Sequence, residues 1–236
     1  MKLSVPSYVV PGTWLENLRW LRSETSQRRV ELLFFMYDDD TRAILRDELD
    51  GIRALASEFE YSAHLPDALL AAHAPLVDSL AGWVDSFVVH PPRTEEGLEP
   101  FCDALDGLRR KHGADRFFLE NTALEPFLRA DAALASSALG PPPLCADAGH
   151  LVAAGLDPVP WIEARAGRIR ELHLHGFDGT RDHVAFDGSE AWFGALSPFL
   201  KRFDGIVQLE LFSWRELLPG MRALESIGGG GNGAPA

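Results

Sequence analysis

A chain of 236 residues with a net charge of −13 is long enough for one large α/β domain. Its charge has the wrong sign for a general nucleic-acid binder, which needs a basic footprint for the phosphate backbone. Composition is that of a globular protein, and no apolar run reaches the roughly 18 residues that cross a bilayer.

The first strand is predicted over 3–9, followed by a helix over 14–22 with Leu15, Leu18 and Leu21 on one face. The second strand covers 30–35. Glu31, early in it, is expected to face the lower barrel and pair with an arginine. The acidic run Asp38, Asp39, Asp40 reads as a solvated loop and N-cap for a helix over 41–58. Strand three covers 61–65, and an Ala-rich helical stretch follows over 69–80, where Pro75 is expected to split or kink it. Strand four at 86–90 leads to a helix over 95–112. Strand five at 117–120 leads to one over 124–134. Strand six at 144–146 is followed by a helix over 161–166, strand seven at 169–175 by one over 191–203, and strand eight at 206–212 by one over 214–224. Most of these strands are short and continuously apolar, as expected where both faces are covered.

Strand and helix alternate eight times, which implies parallel strands with right-handed crossovers. Eight repeats point to a closed (β/α)8 TIM barrel over residues 1–226, with a flexible Gly-rich tail over 227–236. A doubly wound sheet would use fewer strands and a Gly-rich first turn, and none is present. Cys102 falls in a helix and Cys145 in a buried strand, without close spacing. Together with the lack of a signal-peptide pattern at the N-terminus, this points to reduced thiols in a cytoplasmic protein.

In such barrels the site lies at the carboxyl ends of the strands. Strand three ends in His64, strand four in His90, and strand five in Glu120-Asn121. Strand six brings Asp147 and His150, strand seven His173 and His175 with His183 in its loop, and strand eight Glu210. Each has a plainer reading. His64 and His90 lie beside prolines and could bond to backbone. Asp147 could simply cap a helix. His175 could point at solvent. Glu120 and Glu210 are harder to dismiss, because an unpaired buried carboxylate is costly. Six of the eight histidines falling at one rim is not what independent bland explanations produce. His73 and His112, on predicted helices, carry no assigned role. Carboxylates with neutral imidazoles make sites for Zn, Mn, Fe or Co, and a bridging carboxylate can join two cations for phosphoester hydrolysis. A single cation would suit an aldose–ketose isomerisation or epimerisation.

The set His64, His90, Glu120-Asn121, Asp147-x-x-His150, His173-x-His175 and Glu210 resembles the xylose isomerase-like, endonuclease IV-type TIM-barrel superfamily. That resemblance implies one to three divalent ions. His64 and His90 would flank Glu120 at one, Glu120, Asp147, His173 and Glu210 would hold a second, and His150 and His183 would belong to a third. Arg181 stands where the nuclease pattern has an aspartate, which puts the third ion in question. Several motifs are more similar to the cobamide-remodelling phosphodiesterases: Pro6-Ser-Tyr-Val-Val-Pro11 with Asn17, Ala63-His-Leu-Pro66, Leu144-Cys-Ala-Asp-Ala-Gly-His-Leu151 and Leu172-His-Leu-His-Gly-Phe-Asp-Gly179. The resemblance implies hydrolysis of the phosphoester joining a cobamide's nucleotide loop to its corrin ring. Glu120, His150 and Glu210 would then be catalytic, while Ser7, Tyr8, Asn121, His175, Arg181 and Asp182 would meet substrate. The expected partner is a small anionic molecule, a corrinoid, with no nucleic acid and no membrane. The alternative expectation is a metal-dependent sugar or sugar-phosphate isomerase or epimerase.

Overall fold

The computed structural model describes residues 1–67 and 69–228. Eight parallel strands close into a barrel in sequence order: β1 (Lys2–Pro6), β2 (Arg29–Leu33), β3 (Glu60–His64), β4 (Ser86–Val89), β5 (Phe117–Glu120), β6 (Leu144–Asp147), β7 (Ile169–Leu174) and β8 (Ile206–Leu209). The ring closes where Lys2, Leu3 and Ser4 pair with Ile206, Val207 and Gln208. Outside it lie helices α1 (Trp14–Glu24), α2 (Asp39–Ala54), α3 (Ala74–Leu80), α4 (Leu98–His112), α5 (Leu124–Ala135), α6 (Ala148–Ala153), α7 (Pro158–Glu163), α8 (Ala191–Arg202) and α9 (Trp214–Gly228). All eight strands stand where apolar runs predicted them.

The stretch expected over 69–80 is divided next to Pro75, as the proline led one to expect. A 3-10 turn over Ala71–His73 precedes it, and the proline sits in the first turn of α3, where its missing N–H costs nothing. The differences have local causes. The helix expected over 161–166 starts three residues earlier, because the Asp157 carboxylate accepts the Val159 N–H at 3.0 Å and Pro158 opens the first turn. An extra short helix, α6, follows β6 directly. Asp38 caps α2 as expected, accepting the Thr41 N–H at 2.9 Å. The last helix extends to Gly228, two residues past the boundary placed at 226, because Ile227 is buried against the core. The tail from 229 onward lies outside the described residues.

The two faces of the strands differ more than their composition suggests. Outward side chains such as Val30, Leu32, Tyr61, Phe87, Phe117, Leu119, Leu172 and Val207 join the helices in one continuous apolar core. The alternate residues point into the barrel, since strand neighbours two apart share a face. There the only apolar group among the described residues is a small separate one, Val88, Phe118 and Cys145. Ser4, Glu31, Ser62, Ser86, Glu171 and Gln208, all buried, occupy the rest of the lower interior. The strands are therefore covered on both sides, but by different chemistry.

Candidate metal centre

Above that interior, the strand ends converge on Glu120. Its Oε2 lies 3.1 Å from His64 Nε2 and 3.0 Å from His90 Nε2. Its Oε1 faces the other way, 3.5 Å from His173 Nδ1 and 3.7 Å from His150 Nδ1. His173 Nδ1 is in turn 3.4 Å from Glu210 Oε2, and Asp147 stands within 4.8 Å of Glu120, His173 and Glu210. A third group is formed by imidazoles alone. His150, His175 and His183 offer nitrogens within 4.8 Å of one another, with His175 and His183 stacked at 4.1 Å between centroids.

The donor atoms fit cations. Glu120 Oε1, Asp147 Oδ2, His150 Nδ1, His173 Nδ1, His175 Nε2 and Glu210 Oε2 are buried and have no hydrogen-bond partner among the described residues. Such orphaned groups are costly unless something between them takes up their lone pairs. His64 makes the point in one ring. Its Nδ1 lies 3.1 Å from the Leu65 carbonyl oxygen, which can only accept, so Nδ1 carries the proton. The Nε2 lone pair then faces a carboxylate oxygen, an arrangement that requires a proton or a cation between them. His90 is squeezed similarly, its Nδ1 2.9 Å from Asp67 Oδ1 and its Nε2 on Glu120.

Without ions, protons do the neutralising. Burial opposes charge on His90, yet Glu120 and Asp67 outweigh it and push the imidazole up to about 10. Burial likewise opposes charge on His175, but Asp147 raises it to about 9. Glu120 and Glu210 are fully buried, which favours their neutral forms. The facing imidazoles, His90 and His173 for Glu120 and His173 for Glu210, nonetheless hold both well below the usual carboxylate range.

No family model matches the chain, and no curated protein matches it. Solved structures do. The 3-keto-D-glucoside 4-epimerase from E. coli is 15% identical, covers 96% of this chain and 97% of its own, and superposes with a TM-score of 0.61. A D-psicose 3-epimerase is 14% identical over 98% of this chain and 93% of its own, with a TM-score of 0.59. A family 2 AP endonuclease from Brucella melitensis is 17% identical over 90% and 93%, with a TM-score of 0.57. The fold, a closed (β/α)8 TIM barrel, is the one these structures share.

This barrel brings together eight expected ligands: His64, His90, Glu120, Asp147, His150, His173, His183 and Glu210. It leaves His73 and His112 outside the rim, the first accepting the Leu70 N–H and the second bonded to Asp78. Several expected substrate contacts are placed differently. Asn121 is 2% exposed and grips the Asp147 backbone, accepting its N–H at 2.8 Å and donating to its carbonyl at 2.9 Å, so it positions a ligand and does not line a pocket. His175 is fully buried, since the alternation that turns His173 inward turns His175 inward too. Arg181 is exposed and bound to Asp178 at 3.0 Å. Asp182 faces the rim, with carboxylate oxygens 3.2 Å from His183 Nδ1 and 3.8 Å from His150 Nε2. Glu31 pairs with no arginine among the described residues. Its Oε1 lies 3.6 Å from His173 Nε2.

Sequence reasoning missed Asp67, three residues after His64 in the same loop, and Glu171, two before His173 on the same strand face. The spacing was visible in both cases. What it could not supply was the partner strand. Ser7 and Tyr8 do line a cavity of about 470 Å³ beside the rim, with Trp14, Phe35, Met36 and Phe212. Phe35 packs edge-on against His64 and Phe212 stacks on His183, so the cavity wall runs into the ligand cluster.

Proposed function

We propose that this chain is a divalent-metal-dependent phosphodiesterase acting on the phosphoester of a cobamide nucleotide loop. The observation that carries the reading is the placement of Glu120, one oxygen on His64 and His90 and the other toward His173 and His150. A carboxylate shared in this way suits two cations, and paired cations suit phosphoester hydrolysis by polarising the phosphoryl oxygen and activating water. His64, His90 and Glu120 would hold one ion, and Glu120, Asp147, His173 and Glu210 a second. His150, His175 and His183 would hold a third, His175 supplying the donor that Arg181 does not. Zn, Mn, Fe and Co all fit these donors.

The chain's own groups then divide the work. His90, His150 and His183 are the rim imidazoles that solvent reaches, at 19%, 17% and 24% side-chain exposure, so an incoming phosphoester meets them first. Glu210, held ionised, accepts the proton of the attacking water, and the departing oxygen takes its proton from solvent at the open rim. Asn121 fixes the Asp147 backbone. The apolar cavity of Tyr8, Phe35, Met36 and Phe212 accommodates a bulky non-sugar part of the substrate.

The test is to load the protein separately with Zn, Mn, Fe and Co, add a cobamide, and assay for cobinamide phosphate. Product with at least one metal is expected, and its absence with all four would sink the reading. Glu120→Ala should lose both metal and activity. Full metal content in that variant would overturn Glu120 as the shared ligand. The fold likeness to the two epimerases favours a second reading, a sugar or sugar-phosphate isomerase using the four-residue group alone. One ion per chain, with turnover of a sugar and not of a cobamide, would select it.

A further inference from the structure

Below the rim, the barrel interior holds a second set of orphaned polar groups that the proposed chemistry does not use. Both carboxylate oxygens of Glu31, both of Glu171, both amide atoms of Gln208, and the hydroxyls of Ser4, Ser62 and Ser86 are buried with no hydrogen-bond partner among the described residues. All six residues are at most 4% exposed. They come from six successive strands around the barrel, β7, β8, β1, β2, β3 and β4. Ser4 pairs with Gln208, Gln208 with His173, Glu31 with Ser62, and Ser62 with Ser86. Glu171 lies two residues before His173 on the same face. The apolar patch of Val88, Phe118 and Cys145 adjoins them on β4, β5 and β6.

Carboxylates outnumber cations here, since Glu31 and Glu171 face the single imidazole of His173. Donor oxygens of Glu31 and Glu171 come within 4.8 Å of each other and of a His173 nitrogen. No lysine or arginine among the described residues pairs with either carboxylate. Arg29, two residues before Glu31, is committed to Glu60 and Asp85 at the barrel floor, and Arg170, next to Glu171, donates to the Gly167 and Ile169 carbonyls. Two like charges at such range, away from water, need a counter-charge. Sharing a proton between them would leave Gln208 and the three serines unsatisfied. The free ligand atoms facing the chamber are mostly oxygens, from two carboxylates, one amide carbonyl and three hydroxyls, beside the imidazole nitrogen of His173. That is the ligand preference of a hard cation, unlike the nitrogen-rich rim above.

We propose that the lower barrel interior is a separate binding site for one hard divalent cation, of the Mg2+ or Ca2+ class, held by Glu31 and Glu171 with Gln208 and the serine hydroxyls completing its oxygen shell. A divalent ion balances the two carboxylates, and hydroxyls and an amide are ordinary partners for it. The same carboxylates face His173 Nε2 at 3.6 and 3.8 Å. The site therefore also fixes that imidazole with Nδ1 turned up toward Glu120 and Glu210. This inference does not depend on the reaction proposed for the rim.

The experiment counts metals by element. Because the chamber is closed, the protein is stripped by chelator in denaturant and refolded with Mg2+ or Ca2+ at millimolar concentration. It is then passed into metal-free buffer and analysed, both unsubstituted with Co2+ at the rim and as Glu120→Ala, in which the rim is disabled. One retained equivalent of Mg2+ or Ca2+ is expected in both, with a higher melting temperature than the protein refolded without either ion. Glu31→Gln and Gln208→Leu should each weaken retention roughly tenfold or more and abolish that thermal gain. If Glu31→Gln fails to fold, Gln208→Leu and the ion-dependent melting of the unsubstituted protein decide the matter. Retention of neither ion, or retention unchanged by the substitutions that fold, overturns the proposal. A loss of cobamide cleavage alone leaves this count untouched, so the two readings fail separately.

Discussion

At the scale of single residues, Asp147 shows how two readings of one side chain hold together. It was open whether Asp147 caps a helix or binds a cation. Its Oδ1 accepts the His150 N–H at 2.7 Å and caps α6, while its Oδ2 is a buried orphan facing the ligand cluster. The two tasks can be separated by mutation. Asp147→Asn keeps an N-cap acceptor and removes the charge, so helix stability should survive while bound metal falls. Asp147→Ala should lose metal and also about 1 kcal/mol of cap stability. Chemical denaturation beside metal analysis distinguishes the pair, and equal metal content in Asp147→Asn and the parent would refute the ligand role. The type and spacing of the rim residues were legible at this scale. Their exact partners were not. Asn121 reads as a pocket residue beside Glu120, and only the neighbouring strand reveals that it spends both side-chain atoms on Asp147.

At the scale of elements, the α6–β7 contact sets the third cluster. Gly149 opens α6 beside the strand that carries His175. A Cβ at that position would lie 2.3 Å from His175 Cε1, closer than side chains approach. Gly149→Ala must therefore displace His175 or the helix. The expected result is impaired metal binding at His150, His175 and His183, with the Glu120 pair less affected. Co2+ titration followed by absorption would read this as the loss of one binding phase, and an unchanged titration would remove His175 from the ligand set. The loop after β7 contributes a second local feature. Gly176 and Val184 bridge across it, and His183 adopts a left-handed backbone at φ 51°, unusual for a residue with a side chain. That conformation belongs to the turn that stacks its ring on His175. The sequence displayed the glycines and histidines of this stretch. Strand pairing and helix approach decided which histidine reached the cluster.

For the molecule as a whole, the excess of buried ionisable groups predicts a pH signature. His90 and His175 are raised from 6.5 to about 10 and about 9 by their carboxylate neighbours. A raised histidine stabilises the fold fully below 6.5 and loses that contribution as pH climbs through its folded value. Glu120 and Glu210 are depressed, so their contribution is present above 4.5 and is lost as pH falls. Glu171, raised by burial from 4.5 to about 7, adds a loss across that interval. The metal-free protein should therefore be most stable at about pH 4.5, lose stability gradually to about 7 as Glu171 ionises, and melt at progressively lower temperature from there toward pH 10. Metal uptake near pH 7.5 should release protons, because imidazoles must become neutral to bind. Calorimetry in buffers of different ionisation enthalpy measures this directly, and uptake without proton release would contradict the protonated imidazoles. What the sequence by itself determined was the alternation of eight strands with helices and the row of histidines and carboxylates at the strand ends, because both are local patterns of period and spacing. Tertiary packing alone brings Glu120 between two sets of histidines, spends Arg181 on Asp178 while His175 is buried, and places Glu31 and Glu171 beside His173. Those facts depend on barrel closure and cross-strand register, which bring together residues far apart in the chain and leave no trace in local periodicity.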